Sequence, residues 1–170
     1  MNKILVFSIL LMLSTACLGQ SKQLELGDPA PVFNLPDQDR KPFNMKDSIG
    51  TKLLVVFFYP KGENLLCTKE LCAFSDSIAA FNKAGALVIG ISGSDINDLK
   101  KFCQKHSLHY NLLSDSTGTV LCSFGVKENL LSDRVTYVIN IAGKVVFKSY
   151  SKTDGKKHVH EVLKFLREMN

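Results

Sequence analysis

Leu53-Leu54-Val55-Val56-Phe57-Phe58-Tyr59-Pro60-Lys61-Gly62-Glu63-Asn64-Leu65-Leu66-Cys67-Thr68-Lys69-Glu70-Leu71-Cys72 is the stretch from which the rest of the chain can be read. Leu53 to Phe58 are apolar without alternation, the pattern of a central strand covered on both faces. Pro60 stops the strand. A polar loop follows, and the pattern then changes to helical spacing. Leu71, Phe74, Ile78 and Phe81 recur at intervals of three and four, which predicts one helix over Thr68 to Ala84, ended by Gly85. Cys67 stands at the start of that helix, and Cys72 lies one and a half turns further on.

Strands and helices alternate beyond this point. Ala86 to Ile91 is a second continuous apolar strand. Ser94 and Asp95 can cap a helix over Ile96 to His106, whose buried face is expected to carry Ile96, Leu99, Phe102, Cys103 and His106. Tyr110 to Leu113 is a short strand, Asp115 to Gly118 a turn and Thr119 to Phe124 a short helix. Arg134 opens a strand over Val135 to Ile141. Ala142-Gly143 turns it into Lys144 to Tyr150, and a last helix, Lys156 to Met169, buries Val159, Val162, Leu163 and Leu166. Upstream, Pro29, Pro31 and Pro36 keep the chain extended. Val32 to Leu35 and Phe43 to Met45 form a hairpin about the turn Asp37 to Pro42. The alternation implies a parallel centre with right-handed crossovers, and the closing hairpin makes the sheet mixed. The expected fold is α/β: a thioredoxin-like, three-layer domain over 27–170, with a central mixed sheet flanked by helices and an N-terminal hairpin.

Composition narrows the function. A chain of 170 residues is one domain plus a terminal segment, and its hydrophobic fraction of 45% supports an ordinary core. The net charge of +5 comes from lysines scattered along the chain, without the basic face or aromatic platform of a nucleic-acid binder. No repeat is present, nor any haem, flavin or metal motif, and no paired carboxylates suited to hydrolysis.

The first residues have their own logic. Lys3, a largely apolar run from Ile4 to Leu13, and small residues Ser14 to Ala16 before Cys17 make the three-part layout of a secretory signal over 1–19. Ten residues span about 15 Å as a helix, half the hydrocarbon thickness, so the run is too short for a permanent span. Ser14-Thr15-Ala16-Cys17 also resembles a lipoprotein cleavage box, which makes Cys17 a lipidation candidate; cleavage near Gly19 is the competing expectation. Residues 20–26 read as a linker. Either way the mature protein is expected outside the cytoplasm, in the periplasm or cell envelope, with a lipid anchor as its only membrane contact.

The remaining cysteines, Cys67, Cys72, Cys103 and Cys122, are too few and too spread to be the framework of a small stapled domain, which points to redox chemistry. Parallel sheets react at the carboxyl ends of their strands, and Cys67 occupies that place after the first central strand. Unpaired N–H groups and partial positive charge at a helix start favour a thiolate over a thiol. Arg134, leading a strand able to lie beside Leu53–Phe58, is the candidate for an untitratable cation next to it. Cys67 and Cys72 would lie roughly 8–9 Å apart (Cα to Cα) on an intact helix. A disulfide needs about 7 Å or less, so a bond between them requires the first turn to unwind. Cys103 and Cys122 read as packed residues. His158 and His160 form an H-x-H pair, a weak metal signal, and read as the exposed start of the last helix. His106 and His109 flank a helix end.

At these residues the chain resembles a known family, the peroxiredoxins, in the branch called peroxiredoxin Q or bacterioferritin comigratory protein. The likeness covers nearly all of the mature chain: F-N-L-P-D-Q-D at Phe33 to Asp39, F-F-Y-P-K at Phe57 to Lys61, C-T-K-E-L-C at Cys67 to Cys72, G-I-S at Gly90 to Ser92, L-L-S-D at Leu112 to Asp115, F-G-V at Phe124 to Val126, and the strand led by Arg134. The resemblance implies a thiol peroxidase needing no cofactor. Cys67 would be oxidised to sulfenic acid by hydrogen peroxide or an organic hydroperoxide. Cys72 would resolve it to a disulfide, and thioredoxin or a similar dithiol protein would reduce both. Pro60 would shield the site and Arg134 hold thiolate and peroxide. Some members place the resolving cysteine on the following helix, so Cys103 is the alternative resolver. The family's T-P-G-C is here Asn64-Leu65-Leu66-Cys67; the threonine that orients peroxide is replaced by Asn64. A monomer is expected. The rival readings are a cell-envelope thioredoxin-like disulfide oxidoreductase and a lipid-anchored binding protein that has lost catalysis. C-x-x-x-x-C spacing instead of C-x-x-C, and Arg134-Val135-Thr136 without a preceding proline, weigh against the first.

Overall fold

A computed structural model describes residues 22–62, 65–127, 134–151 and 154–169. The leader expected at 1–19, with Cys17, and Asn64 lie outside the described residues. Among the described residues seven strands and five α-helices, one helix more than anticipated, follow in order: β1 (Asn34–Pro36), β2 (Pro42–Asn44), a 3₁₀ turn at Met45–Asp47, β3 (Leu53–Phe58), α1 (Leu65–Asp76), α2 (Ile78–Lys83), β4 (Ala86–Ser92), α3 (Ile96–His106), β5 (Asn111–Ser114), α4 (Thr119–Ser123), β6 (Arg134–Ile139), β7 (Val145–Ser151) and α5 (Gly155–Met169).

β3 lies at the centre of a five-stranded sheet in the order β5-β4-β3-β6-β7. β3, β4 and β5 run parallel, while β6 is antiparallel to β3 and to β7, so the sheet is mixed. β1 and β2 form the separate antiparallel N-terminal pair. Asp37 shapes its turn by accepting the Asp39 and Lys41 backbone N–H groups at 2.8 and 2.9 Å.

The unbroken apolarity of β3 is explained by two cores. Leu54, Val56 and Phe58 face a cluster with Phe33, Met45, Leu121 and Phe124, beneath the N-terminal pair and α4. Val55 and Phe57 face a second cluster with Leu71, Phe74, Phe81, Leu99 and Val162, beneath α1, α2, α3 and α5. Phe57 stacks on Phe74 with ring centres 4.3 Å apart, an offset aromatic contact worth about 0.5–1.5 kcal/mol beyond its buried area, which fixes α1 against β3. Gly90 of β4 makes room for that ring: a Cβ there would meet it at 2.6 Å.

Two expectations need correction. The single helix over Thr68–Ala84 is two helices, and the first begins earlier, at Leu65. Leu65 and Leu66 are strong helix formers, and they extend the helix upstream of Cys67. At Ser77 the ladder tightens to i→i−3 bonds, with Ser77 N–H on Phe74 O and Ala80 N–H on Ser77 O, and the axis breaks there. In α3 only Leu99 is fully buried, whereas Ile96, Phe102, Cys103 and His106 are half-buried, because part of this helix borders a cavity rather than the sheet.

Candidate active site

Strand pairing brings the reactive groups together. Val135 of β6 lies opposite Phe58 of β3, so Arg134 comes to the carboxyl end of the central strand. The chain leaves β3 through buried Tyr59 and Pro60 and returns as α1, with Cys67 in the first turn. Arg134 donates an Nη2 hydrogen to Cys67 Sγ at 3.2 Å. The Cys67 thiol reaches the Pro60 carbonyl at 3.8 Å. Cys67, Arg134 and Pro60, the three residues expected to share a site, therefore meet at one point, the proline through its carbonyl, and Cys67 and Arg134 are both buried.

Three further side chains complete the cluster, and none was anticipated. Glu70 is wholly buried one turn after Cys67 and accepts Arg134 Nη1 on Oε2. His158 of α5 is also buried, its Nδ1 standing 3.2 Å from Glu70 Oε1 and 2.9 Å from Thr136 Oγ1 of β6. Burial by itself would lower the Arg134 guanidinium; Glu70 and Cys67 more than reverse this and hold it above its ordinary value. An enclosed pair of this kind is dear to break, because losing one member leaves the other charge buried without compensation, at about 3–5 kcal/mol.

The reading of the H-x-H pair as an exposed helix start is corrected here. His160 is exposed, but His158 is not. His158, Val162 and Leu166 recur every four residues and share the buried face of α5, a signal present in the sequence. Glu70 carried a similar one. Cys67, Glu70, Leu71 and Phe74 follow the i, i+3, i+4, i+7 rule, so a carboxylate on the core stripe of α1 called for a cation opposite it.

Sulfur and solvent meet through a cavity of about 210 Å³ lined by Tyr59, Cys67, Leu71, Leu99 and Phe102, with Lys101 and Lys105 at its α3 side. A water molecule takes up roughly 30 Å³ of liquid, so the space exceeds what hydrogen peroxide needs. Burial pushes the Tyr59 phenol well above its ordinary range and keeps it protonated.

Cys72 is half-buried and turned away from this cavity. It borders a cleft with Lys69, Ala73, Val159, His160 and Leu163, between α1 and α5. Burial, and after it Asp76, raise its thiol above the ordinary value. Cys103 is half-buried on α3; burial, with Asp39 and Asp37, pushes its thiol up to about 11. The Cys67 cavity is lined by its neighbours Leu99 and Phe102 and not by Cys103. Cys67, Cys72 and Cys103 are all thiols, and Cys122 is half-buried in α4.

Residues 26–148 match the AhpC/TSA family. The chloroplastic peroxiredoxin Q of Suaeda salsa is 44% identical over 146 residues, which are 84% of this chain and 68% of that protein. Among solved structures, peroxidoxin BcpB from Mycobacterium tuberculosis superposes with a TM-score of 0.82 at 34% identity, covering 87% of this chain and 99% of that one. Peroxiredoxin Q from Xanthomonas campestris does so with a TM-score of 0.73 at 26% identity, covering 80% and 90%. With the thioredoxin-like sheet and a buried cysteine at the end of its central strand, the chain belongs to the AhpC/TSA family, in the peroxiredoxin Q branch, and is a thiol peroxidase.

Proposed function

We propose that Cys67 is the peroxidatic cysteine and Cys72 its resolving partner, with Arg134 and Pro60 at the reacting sulfur and Asn64 standing in the sequence where the family resemblance expects threonine. The observation that carries this reading is the Arg134 Nη2 to Cys67 Sγ contact of 3.2 Å, made while Nη1 is occupied by Glu70. The Cys67 thiolate attacks one peroxide oxygen. The O–O bond breaks, the other oxygen leaves as alcohol or water after taking a proton, and Cys67 becomes a sulfenic acid. The Cys72 thiolate then attacks that sulfur and displaces the hydroxyl as water, forming the disulfide. Thioredoxin or a similar dithiol protein reduces it by exchange and is itself oxidised.

The cavity supports hydrogen peroxide and organic hydroperoxides as substrates, the alkyl part lying on Leu71, Leu99 and Phe102. Cys72 is preferred to Cys103 as resolver. Cys72 shares α1 with Cys67, five residues on, whereas Cys103 is on α3 and does not line the Cys67 cavity; burial, with Asp39 and Asp37, pushes its thiol up to about 11. Because both cysteines of the cycle are on α1, no second chain is required, which supports a working monomer. The layout of 1–19 supports export to the periplasm or cell envelope, with lipid on Cys17 as the anchor.

The test is peroxide consumption by the reduced protein and by Cys67→Ser. The wild type should lose thiols stoichiometrically with peroxide, and the variant should not react. A variant that consumes peroxide at the wild-type rate overturns the assignment.

A further inference from the structure

Arg134 divides its two terminal nitrogens between Glu70 and Cys67. Left alone, an arginine beside a carboxylate turns both N–H groups onto its two oxygens, because the bidentate pair is the stronger one. In this site that rotation would take Nη2 off the sulfur. Something must occupy the second carboxylate oxygen, and Glu70 Oε1 faces His158 Nδ1 at 3.2 Å.

The ring's hydrogen can be placed from its surroundings. His158 Nε2 and Glu70 Oε1 are both buried with no hydrogen-bond partner among the described residues, and His158 Nδ1 stands 3.2 Å from that oxygen. A hydrogen on Nε2 alone would bury an unmatched donor and set two acceptors, Nδ1 and Oε1, against each other. A hydrogen on Nδ1 bonds Thr136 Oγ1 at 2.9 Å and turns the partial positive side of the ring toward Oε1, 3.2 Å from the same nitrogen, which removes both faults. The groups in contact with the ring are Glu70 from α1 and Thr136 from β6, with Arg134 of β6 on the other oxygen of Glu70, while Lys156 and Lys157 of its own helix are exposed.

A second observation points the same way. The backbone of α5 presses on Glu70 itself: a Cβ on Gly155 would lie 2.3, 2.6 and 2.8 Å from Glu70 Cβ, Cγ and Cδ. Only glycine fits this approach, and its backbone dihedral does not lie in the left-handed region that would otherwise account for it.

We propose that the start of α5, through Gly155 and His158, is a clamp that holds the Glu70 carboxylate in one orientation and so keeps Arg134 shared with the Cys67 sulfur. His158 is a positioning residue in this account; it acts through Glu70 and touches no substrate. The proposal rests on the reading of Cys67 as the reactive cysteine.

The experiment uses the full-length reduced protein and records the pH profile of Cys67 alkylation by iodoacetamide, followed by peptide mass mapping, together with the thermal unfolding midpoint. His158→Leu should move the profile to higher pH by about one unit, which slows alkylation at pH 7 about tenfold. His158→Asn, whose amide N–H replaces Nδ1–H, should keep the wild-type profile. Gly155→Ala should move it in the same direction as His158→Leu. A purely structural role would lower the unfolding midpoint and leave the profile unchanged, and that result overturns the clamp. Should His158→Leu fail to fold, Gly155→Ala decides: a shifted profile supports the clamp and an unshifted one overturns it. If Cys67→Ser still consumed peroxide, the functional reading would fail while the alkylation profile still reported on the clamp.

Discussion

Cys67 and Cys72 stand on one helix, five residues apart, in opposite surroundings. Cys67 is sealed between Pro60 and a guanidinium that donates to its sulfur, at the floor of a cavity. Cys72 faces a different cleft, toward α5, and has Asp76 as a charged neighbour where Cys67 has Arg134. The same side chain at two positions on one helix thus meets two different environments. One sulfur meets a stabilising cation before any reaction. The other is raised by burial and by Asp76, and on the intact helix it does not line that cavity. The difference lies in what stands beside each side of α1: Arg134 of β6 at Cys67, and the residues of α5 at Cys72.

The comparison breaks most severely at Arg134. Arg134→Lys keeps a charge but cannot hold Glu70 and the sulfur in a fork at once. Removing one such preorganised donor costs on the order of 10² to 10³ in rate. Stopped-flow measurement of peroxide consumption should therefore show a loss of about a hundredfold; a rate within a few-fold of wild type would mean that the cation is structural only.

The second contrast is in pH. Burial and Asp76 raise the Cys72 thiol, and only its thiolate attacks sulfenic sulfur. Below that raised value the thiolate fraction grows with pH, so disulfide formation after a peroxide pulse should accelerate about tenfold per unit between pH 6 and 8. A flat profile would assign resolution to another group.

The third lies in the helix. α1 runs unbroken from Leu65 to Asp76 and keeps the two sulfurs on different sides. The oxidised protein should lose far-UV circular dichroism equivalent to about one to two turns, that is roughly 4–7 residues. An unchanged spectrum in protein shown to carry the bond would contradict the unwinding.

The smallest effect is expected at Asn64. Asn64→Thr restores the hydroxyl that the family resemblance leads one to expect and should raise the second-order rate with peroxide a few-fold. An unchanged or lower rate would show that the amide has taken over the role.

Much of this was legible in the sequence. β3 and α3 were delimited to the residue, because Leu53–Phe58 has no polar interruption and Asp95 caps α3 by accepting the Asn97 N–H at 2.7 Å. The pairing of Arg134 with Cys67 follows from strand order and from the family resemblance, and the antiparallel register of β6 on β3 delivers it. The break at Ser77 was not legible. Ile78 and Phe81 continue the apolar spacing through it, and periodicity does not register a tightened turn. Glu70 and His158 were passed over for one reason. His158 reads as exposed within its H-x-H pair and Glu70 does not stand out from the C-T-K-E-L-C motif, although each sits on the apolar stripe of its own helix. What buries them is mutual. Glu70 pairs with an arginine 64 residues away and a histidine on the last helix, and local patterning does not report contacts of that range.

The central claim is tested most directly by oxidising the reduced protein with one equivalent of hydrogen peroxide, blocking the remaining thiols and mapping the peptides by mass spectrometry. The account predicts a single new bond, Cys67–Cys72, with Cys103 alkylated. A bond between Cys67 and Cys103, or a Cys67 that remains alkylated as a thiol after the peroxide is gone, would contradict it.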